Sequence, residues 1–149
     1  MIILLDLNYT LVSNSSHKDM FNISNEIISK EKYRGWLVGW IKAHTVILVT
    51  VRLDTFSEHT LDSIRKKTGW LPDEFHFKPE NKKYTRAPQW KKEVFLDRVL
   101  PNHGNSQDFL AIESNSETRA MYSELGIKSL KAPRQPWLTL PQGSAYSTY

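Results

Sequence analysis

The 149-residue chain contains no cysteine, which removes disulfide bonding and cysteine-ligated zinc from the possible architectures. It also lacks a long apolar run: no stretch approaches the ~20 apolar residues that a membrane-spanning helix needs. Residues 1–7 (MIILLDL) are apolar, but they carry no basic flank and Asp6 interrupts them, so they do not read as a signal peptide. No internal repeat is evident. With these classes set aside, a soluble, cytoplasmic protein is the expectation.

What is present suits one globular domain. The length matches the ~100–150 residues common for a domain and suffices to bury most of the apolar surface of an unfolded chain. A hydrophobic content of 40% and a charged content of 24% lie near globular averages and exclude wholesale disorder. The net charge of +4 leans towards an anionic partner, although a charge of this size also serves solubility.

Short runs that are apolar at every position suit central strands of a parallel sheet covered on both faces. Residues 2–7 form one such run and residues 45–50 (TVILVT) a second, with residues 109–112 as a third. Residues 74–78 (EFHFK) alternate weakly, as an edge strand would, and residues 127–130 could form a fifth strand. Between them, three- and four-residue apolar spacing predicts helices over 26–44, 57–68, 90–100 and 116–125. Gly69 closes the second of these, Pro101 stops the third, and Gly126 ends the fourth. Strands alternating with helices of ~10–15 residues predict βαβ units. The expected fold is α/β, a doubly wound, mostly parallel sheet over residues 1–131, followed by a Pro-rich tail over 132–149 that wraps the surface or frays.

In an open α/β sheet, ligands bind beyond the carboxyl ends of the strands. Strand one ends in Asp6, with Asn8 and Thr10 beyond it, and strand two ends in Thr50, followed by Arg52. The third helix opens with Trp90, Lys91 and Lys92; the fourth strand leads into Glu113, Ser114, Asn115, Ser116 and Glu117. Carboxylates, hydroxyl and amide donors and a cation around one point suit a metal-bound phosphate. Each residue alone also has an ordinary use: Asp6 as a turn former, Thr50 as strand-end chemistry, Lys91 as surface charge, Glu113 and Glu117 as helix-capping acids.

The ordered set Asp6-Leu7-Asn8-Tyr9-Thr10-Leu11 after a first strand, Thr50 after a second, then Lys91, then Glu113 after another strand resembles the four motifs of the haloacid-dehalogenase-like (HAD-like) phosphatases. The resemblance spans residues 1 to about 130. Residues 91–95 through 109–113 also look like the phosphatase domain of phage polynucleotide kinase-phosphatases, over a shorter stretch. The resemblance implies a Rossmann-like HAD core. Asp6 would be the nucleophile forming an aspartyl-phosphate, Thr50 would donate to a phosphoryl oxygen, and Lys91 would neutralise charge. Lys91 is preferred to Lys92 because its spacing to Val94 and Phe95 places it on the sheet-facing side of its helix. Mg²⁺ would be held by Asp6, the main-chain carbonyl of Asn8 and an acid after the fourth strand, Glu113 or Glu117.

Asn8 stands where such phosphatases usually carry a second Asp, the general acid. An amide can hydrogen-bond but cannot exchange a proton near neutral pH, so leaving groups that need no acid are favoured. Glu113-Ser114 also replaces the usual Asp. No large cap domain fits between the motifs, and an open site favours bulky substrates such as nucleic-acid ends.

Residues 78–92 (KPENKKYTRAPQWKK) interleave Lys78, Lys82, Lys83, Arg86, Lys91 and Lys92 with Tyr84 and Trp90. Cations for phosphates and aromatic faces for bases suit a single-stranded nucleic-acid end; a solvated basic loop is the plainer reading. Thr10, Arg52, Lys82, Lys83, Arg86 and Trp90 are therefore candidate substrate contacts, while Trp36 and Trp40 read as packing residues. The expected function is a Mg²⁺-dependent phosphatase of a nucleotide or nucleic-acid end. The alternative is a catalytically impaired HAD-like domain that binds nucleic acid or a protein partner, and an oligomer that closes the open site is possible in either case.

Overall fold

The fully apolar runs become strands buried on both faces. β1 (Ile2–Leu5) is covered at every position, and β2 (Thr45–Leu53) is covered over its centre. Both are seen in a computed structural model that describes residues 1–15, 22–104 and 108–133. β3 (Glu74–Lys78), β4 (Phe109–Ile112) and β5 (Lys128–Leu130) complete one sheet in the order β3-β2-β1-β4-β5. Every pairing is parallel, so the sheet is open and doubly wound. The expected tail falls almost wholly outside the described residues, as do residues 16–21 of the loop after β1.

Alternate residues of the strands feed two cores. On one face Ile3, Leu5, Val46 and Leu48 pack with Leu37, Trp40, Ile41 and Ile64. On the other, Ile2, Leu4, Ile47 and Val49 pack with Trp90, Val94, Phe95 and Tyr122. Trp36 and Trp40 belong to the first core. The helices on the first face are α1 (Asn25–Ser29), α2 (Gly35–Ile41) and α3 (Ser57–Thr68); on the second they are α4 (Ala87–Val94) and α5 (Ser116–Glu124).

Two helices differ from the expectation, each for a physical reason. The helix expected over 26–44 is broken between α1 and α2. There the backbone is engaged by the loop after β1: Ser13 N–H donates to Lys32 O at 2.8 Å, and Arg34 N–H donates to Leu11 O at 2.9 Å. Tyr33 also bridges Val12. The helix expected to stop at Pro101 starts earlier, with Pro88 in its first turn, and runs past Pro101. Proline has no N–H for the carbonyl four residues back and crowds it. The chain widens ahead of it into a π-helical stretch, Phe95–Val99, before a last turn, Leu100–His103. Gly69 does close α3 as expected, at φ 71.

Among the described residues, no helix is long and apolar enough to cross a membrane. Among the described residues, the intervals between β1 and β2, and between β2 and α4, hold only short helices, the edge strand β3 and loops. Strand order reverses at β1, so the loops after β1 and β4 flank the crevice where such sheets bind ligands.

Candidate active site

Asp6 follows β1 directly, its N–H still donating to Ile112 O of β4 at 3.0 Å. The chain then turns sharply, with Tyr9 in the left-handed region at φ 63, a conformation rare for a bulky residue. Arg34 holds that turn by donating from Nη1 to the carbonyls of Tyr9, at 3.0 Å, and Thr10, at 2.5 Å. The turn after β4 is tied in the same way: Arg119 Nη1 donates to Glu113 O at 3.0 Å and Ser114 O at 2.8 Å. The Asn115 side chain caps α5, accepting from the N–H groups of Glu117 and Thr118. Two arginines thus fix two loops that face each other.

Between the loops, Lys91 reaches from α4. Its ammonium lies 2.9 Å from Asp6 Oδ1 and 2.5 Å from Glu113 Oε1, and all three residues are buried, at 2%, 6% and 2% exposed for Lys91, Asp6 and Glu113. Asp6 Oδ2 accepts from Thr10 Oγ1 at 2.8 Å, from Ser114 Oγ at 2.8 Å and from Ser114 N–H at 3.3 Å. The Ser114 hydroxyl also lies 3.1 Å from the main-chain oxygen of Asn8.

The electrostatics of the trio follow from this geometry. Burial works to raise the Asp6 carboxyl, but the Lys91 charge and hydrogen bonds from Glu113, Lys91 and Ser114 bring it below its ordinary range. Glu113 goes the other way: burial and the negative charge on Asp6 outweigh Lys91 and push its carboxyl up to about 8. Lys91 is raised despite its burial, because both carboxylates favour its charged form. The same burial raises the neighbouring Tyr122 hydroxyl. Asp6 is thereby the carboxyl favoured to be ionised beside the cation, and Glu113 the one favoured to take up a proton first.

Asn8 lies at the edge of this cluster. Its side-chain oxygen accepts from Arg52 Nη2 at 3.0 Å. Arg52 itself is buried against Glu31, with Nη1 to Oε1 at 2.9 Å and Nη2 to Oε2 at 2.5 Å, and it donates to Thr60 Oγ1 at 3.0 Å. Arg52 is thus locked in an ion pair. Thr50 is fully buried; its Oγ1 accepts from Arg52 N–H and its carbonyl from Trp90 Nε1, each at 3.1 Å. Trp90 is a core residue.

Lys82, Lys83 and Arg86 of the basic stretch stay outside the buried cluster. Lys82 pairs with Glu93 at 3.5 Å and Lys83 with Glu80 at 3.8 Å. Arg86 and Glu117 are exposed and bind one another. Ser114, Arg34, Arg119 and Glu31 carry more of the site's geometry than their sequence positions disclose; only Ser114, adjacent to Glu113, had a local signal.

A cleft of about 830 Å³ opens over the cluster, lined by Asp6, Asn8, Arg34, Lys91, Glu113 and Ser114 among others. Its oxygen donors were weighed for a divalent ion. Among the described residues no group of three His, Cys, Asp or Glu side chains is arranged to hold a metal. However, Ser114 Oγ lies within 2.8 Å of Asp6 Oδ2 and 3.1 Å of the Asn8 carbonyl oxygen. All three are hard oxygens, and Mg²⁺ commonly uses one or two carboxylates and keeps several waters. By donor chemistry this set suits Mg²⁺: one ionised carboxylate, Asp6, and two neutral oxygens.

No family model matches the chain, and no curated protein matches it. Solved structures do. The fold aligns over 88% of this chain with a chain in "Structure of the Pnkp1/Rnl/Hen1 RNA repair complex", at a TM-score of 0.69 and 16% identity. It aligns over the same share with a chain in "Structure of Pnkp1/Rnl/Hen1 complex", at a TM-score of 0.71 and 18% identity. The aligned region spans 42% and 45% of those chains, under half of their length. At such identities the likeness is one of fold.

Proposed function

We propose that this chain is a HAD-like, Mg²⁺-dependent phosphatase acting on a nucleotide or nucleic-acid-end phosphate through an aspartyl-phosphate on Asp6. The observation that carries the reading is Lys91, whose ammonium bridges Asp6 Oδ1 and Glu113 Oε1 in a buried crevice at the switch point of the sheet. A carboxylate kept ionised beside a cation is a ready nucleophile for phosphorus. The fold neighbours taken from an RNA repair complex support the nucleic-acid end as substrate class.

In the first step an Asp6 carboxylate oxygen attacks phosphorus and the bond from phosphorus to the ester oxygen breaks. The departing oxygen takes its proton from solvent, since the amide of Asn8 has none to give near neutral pH. A water oxygen then attacks the aspartyl-phosphate, releasing inorganic phosphate and restoring the Asp6 carboxylate, and the surplus proton returns to solvent. Lys91 balances the phosphoryl charge in both steps. Mg²⁺, held by Asp6, the Asn8 carbonyl and Ser114, would supply further charge neutralisation at the phosphoryl oxygens.

Turnover of a phosphate ester with Mg²⁺, lost by at least about a thousandfold in Asp6→Asn, is the expected result. Unchanged turnover in that variant removes Asp6 as nucleophile. The Arg52–Asn8 bond favours a second reading, a HAD-like domain that binds phosphorylated ends without turning them over. Binding of a phosphate mimic without any hydrolysis by the native chain would select it.

A further inference from the structure

A second cleft, about 650 Å³, adjoins the first and shares Asn8 and Val51 with it. It lies between the carboxyl ends of β2 and β3. One wall is the turn after β2, with Leu53, Thr55 and Phe56; the other is the loop after β3, with Glu80, Lys83 and Tyr84.

The second wall is tied in place. Lys78 is 5% exposed, and its ammonium donates back to the carbonyls of Lys83, at 3.2 Å, and Thr85. Thr85 N–H donates in turn to Lys82 O at 2.9 Å. On this braced loop Tyr84 is 92% exposed, far above the other large exposed hydrophobics among the described residues, which lie between 40% and 47%. No core packing explains an aromatic ring held there. Lys83 Nζ sits 5.9 Å from the ring centroid, so a cation and an aromatic face stand together at the rim.

We propose that this cleft holds the nucleoside that bears the phosphate facing Asp6 and Lys91, with Tyr84 and Phe56 supplying faces for the base. The proposal rests on the phosphatase reading for the position of the phosphate. The volume lies within the ~300–1,000 Å³ of small-molecule sites. Aromatic and aliphatic side chains (Phe56, Tyr84, Ile23, Val51, Leu53) offer faces for a flat heterocycle beside the polar Asn8, Arg52, Thr55 and Lys78, and Glu80 and Lys83 add an acceptor and a donor. Stacking on an aromatic face is tolerant of base identity, so all four bases are accepted with similar affinity. The shared residues Asn8 and Val51 set the join between the phosphate and nucleoside compartments.

The test compares adenosine 3′- and 5′-monophosphate with ribose 5-phosphate, which offers the same phosphate chemistry without a base. In the native chain the nucleotide is expected to show a KM about tenfold or more below that of the sugar phosphate, a size consistent with base–aromatic stacking. Tyr84→Ala should shrink that ratio about tenfold, and Tyr84→Trp should restore it. A ratio near one in the native chain, or one untouched by Tyr84→Ala, overturns the nucleoside cleft and leaves the phosphatase reading standing. If no ester is turned over, the phosphatase reading fails. The same ratios are then read as Kd by calorimetry, where selective loss of nucleotide binding in Tyr84→Ala still supports the cleft and its absence overturns it. A short oligonucleotide with a terminal phosphate separates the sources: a larger Tyr84 effect on it assigns the cleft to a nucleic-acid end, and equal effects assign it to the free nucleotide.

Discussion

Nη2 of Arg52 lies 3.0 Å from the side-chain oxygen of Asn8 while the same guanidinium clamps both oxygens of Glu31. A neutral amide completes a pair that is already balanced in charge. This relationship decides what an acid at position 8 would do. In Asn8→Asp the new carboxyl would face Arg52, and an adjacent guanidinium favours the ionised form. The variant is expected to gain less than about tenfold in kcat at pH 7, against the ~10²–10⁴-fold typical of general acid–base catalysis. Any gain should grow below pH 5. A kcat–pH profile of the two proteins checks this, and a hundredfold gain at pH 7 would contradict it.

Much of this site was legible because its chemistry sits at strand ends. Asp6 and Glu113 each follow a run apolar at every position, and adjacent parallel strands in register, Leu5 beside Ile112, carry the residues after them to one crevice. Lys91 was legible through its spacing to Val94 and Phe95, both of which are buried. What stayed hidden depends on side chains from distant segments. Glu31 lies in a stretch that reads as mid-helix, and nothing local in the sequence announces its bond to Arg52. Arg86 was a candidate as a cation of the basic stretch 78–92, and Glu117 as an acid after the fourth strand. Their mutual ion pair lies at the surface and joins segments distant in sequence.

Lys91 pairs with the ionised Asp6 carboxylate and with the Glu113 carboxyl, so removing its charge leaves one buried anion and one buried acid without their partner. Breaking a buried ion pair by deleting one partner typically costs about 3–5 kcal/mol. Lys91→Met is expected to lose on the order of 3 kcal/mol in urea unfolding. Lys91→Met combined with Glu113→Gln should recover part of that loss, because one of the stranded acids is then gone. Additive losses in the double variant would show that the two side chains do not act as a unit.

The raised Glu113 carboxyl gives stability a pH dependence with a definite sign. Glu113 binds its proton more tightly folded, at about 8, than at its ordinary 4.5. Its contribution is therefore fully present below pH 4.5 and is lost as pH rises through 8. Asp6, with its carboxyl lowered, contributes in the opposite sense, and that contribution fades only in acid. Native stability should fall on the order of a few kcal/mol between pH 5 and 8, and Glu113→Gln should flatten that slope. Urea midpoints at pH 5, 6.5 and 8 measure it; a parallel slope in the variant assigns the dependence to other groups.

Ser114 places a neutral hydroxyl between Asp6 Oδ2 and the Asn8 carbonyl, where the fit to Mg²⁺ rests on one anionic oxygen. Ser114→Asp would put a second negative charge there. Without a divalent ion, two like charges at that distance repel, and the variant should melt below the native protein. With Mg²⁺ the same pair becomes a stronger oxygen site, since charged oxygens bind this cation better than hydroxyls. The variant should show a larger Mg²⁺-induced rise in Tm than the native chain, and half-maximal binding at roughly tenfold lower Mg²⁺. The melting measurement is independent of turnover, so it tests the metal position even if the chain only binds its ligand. Equal Mg²⁺ responses in the two proteins would mean that the cation does not sit on the Ser114 side of Asp6.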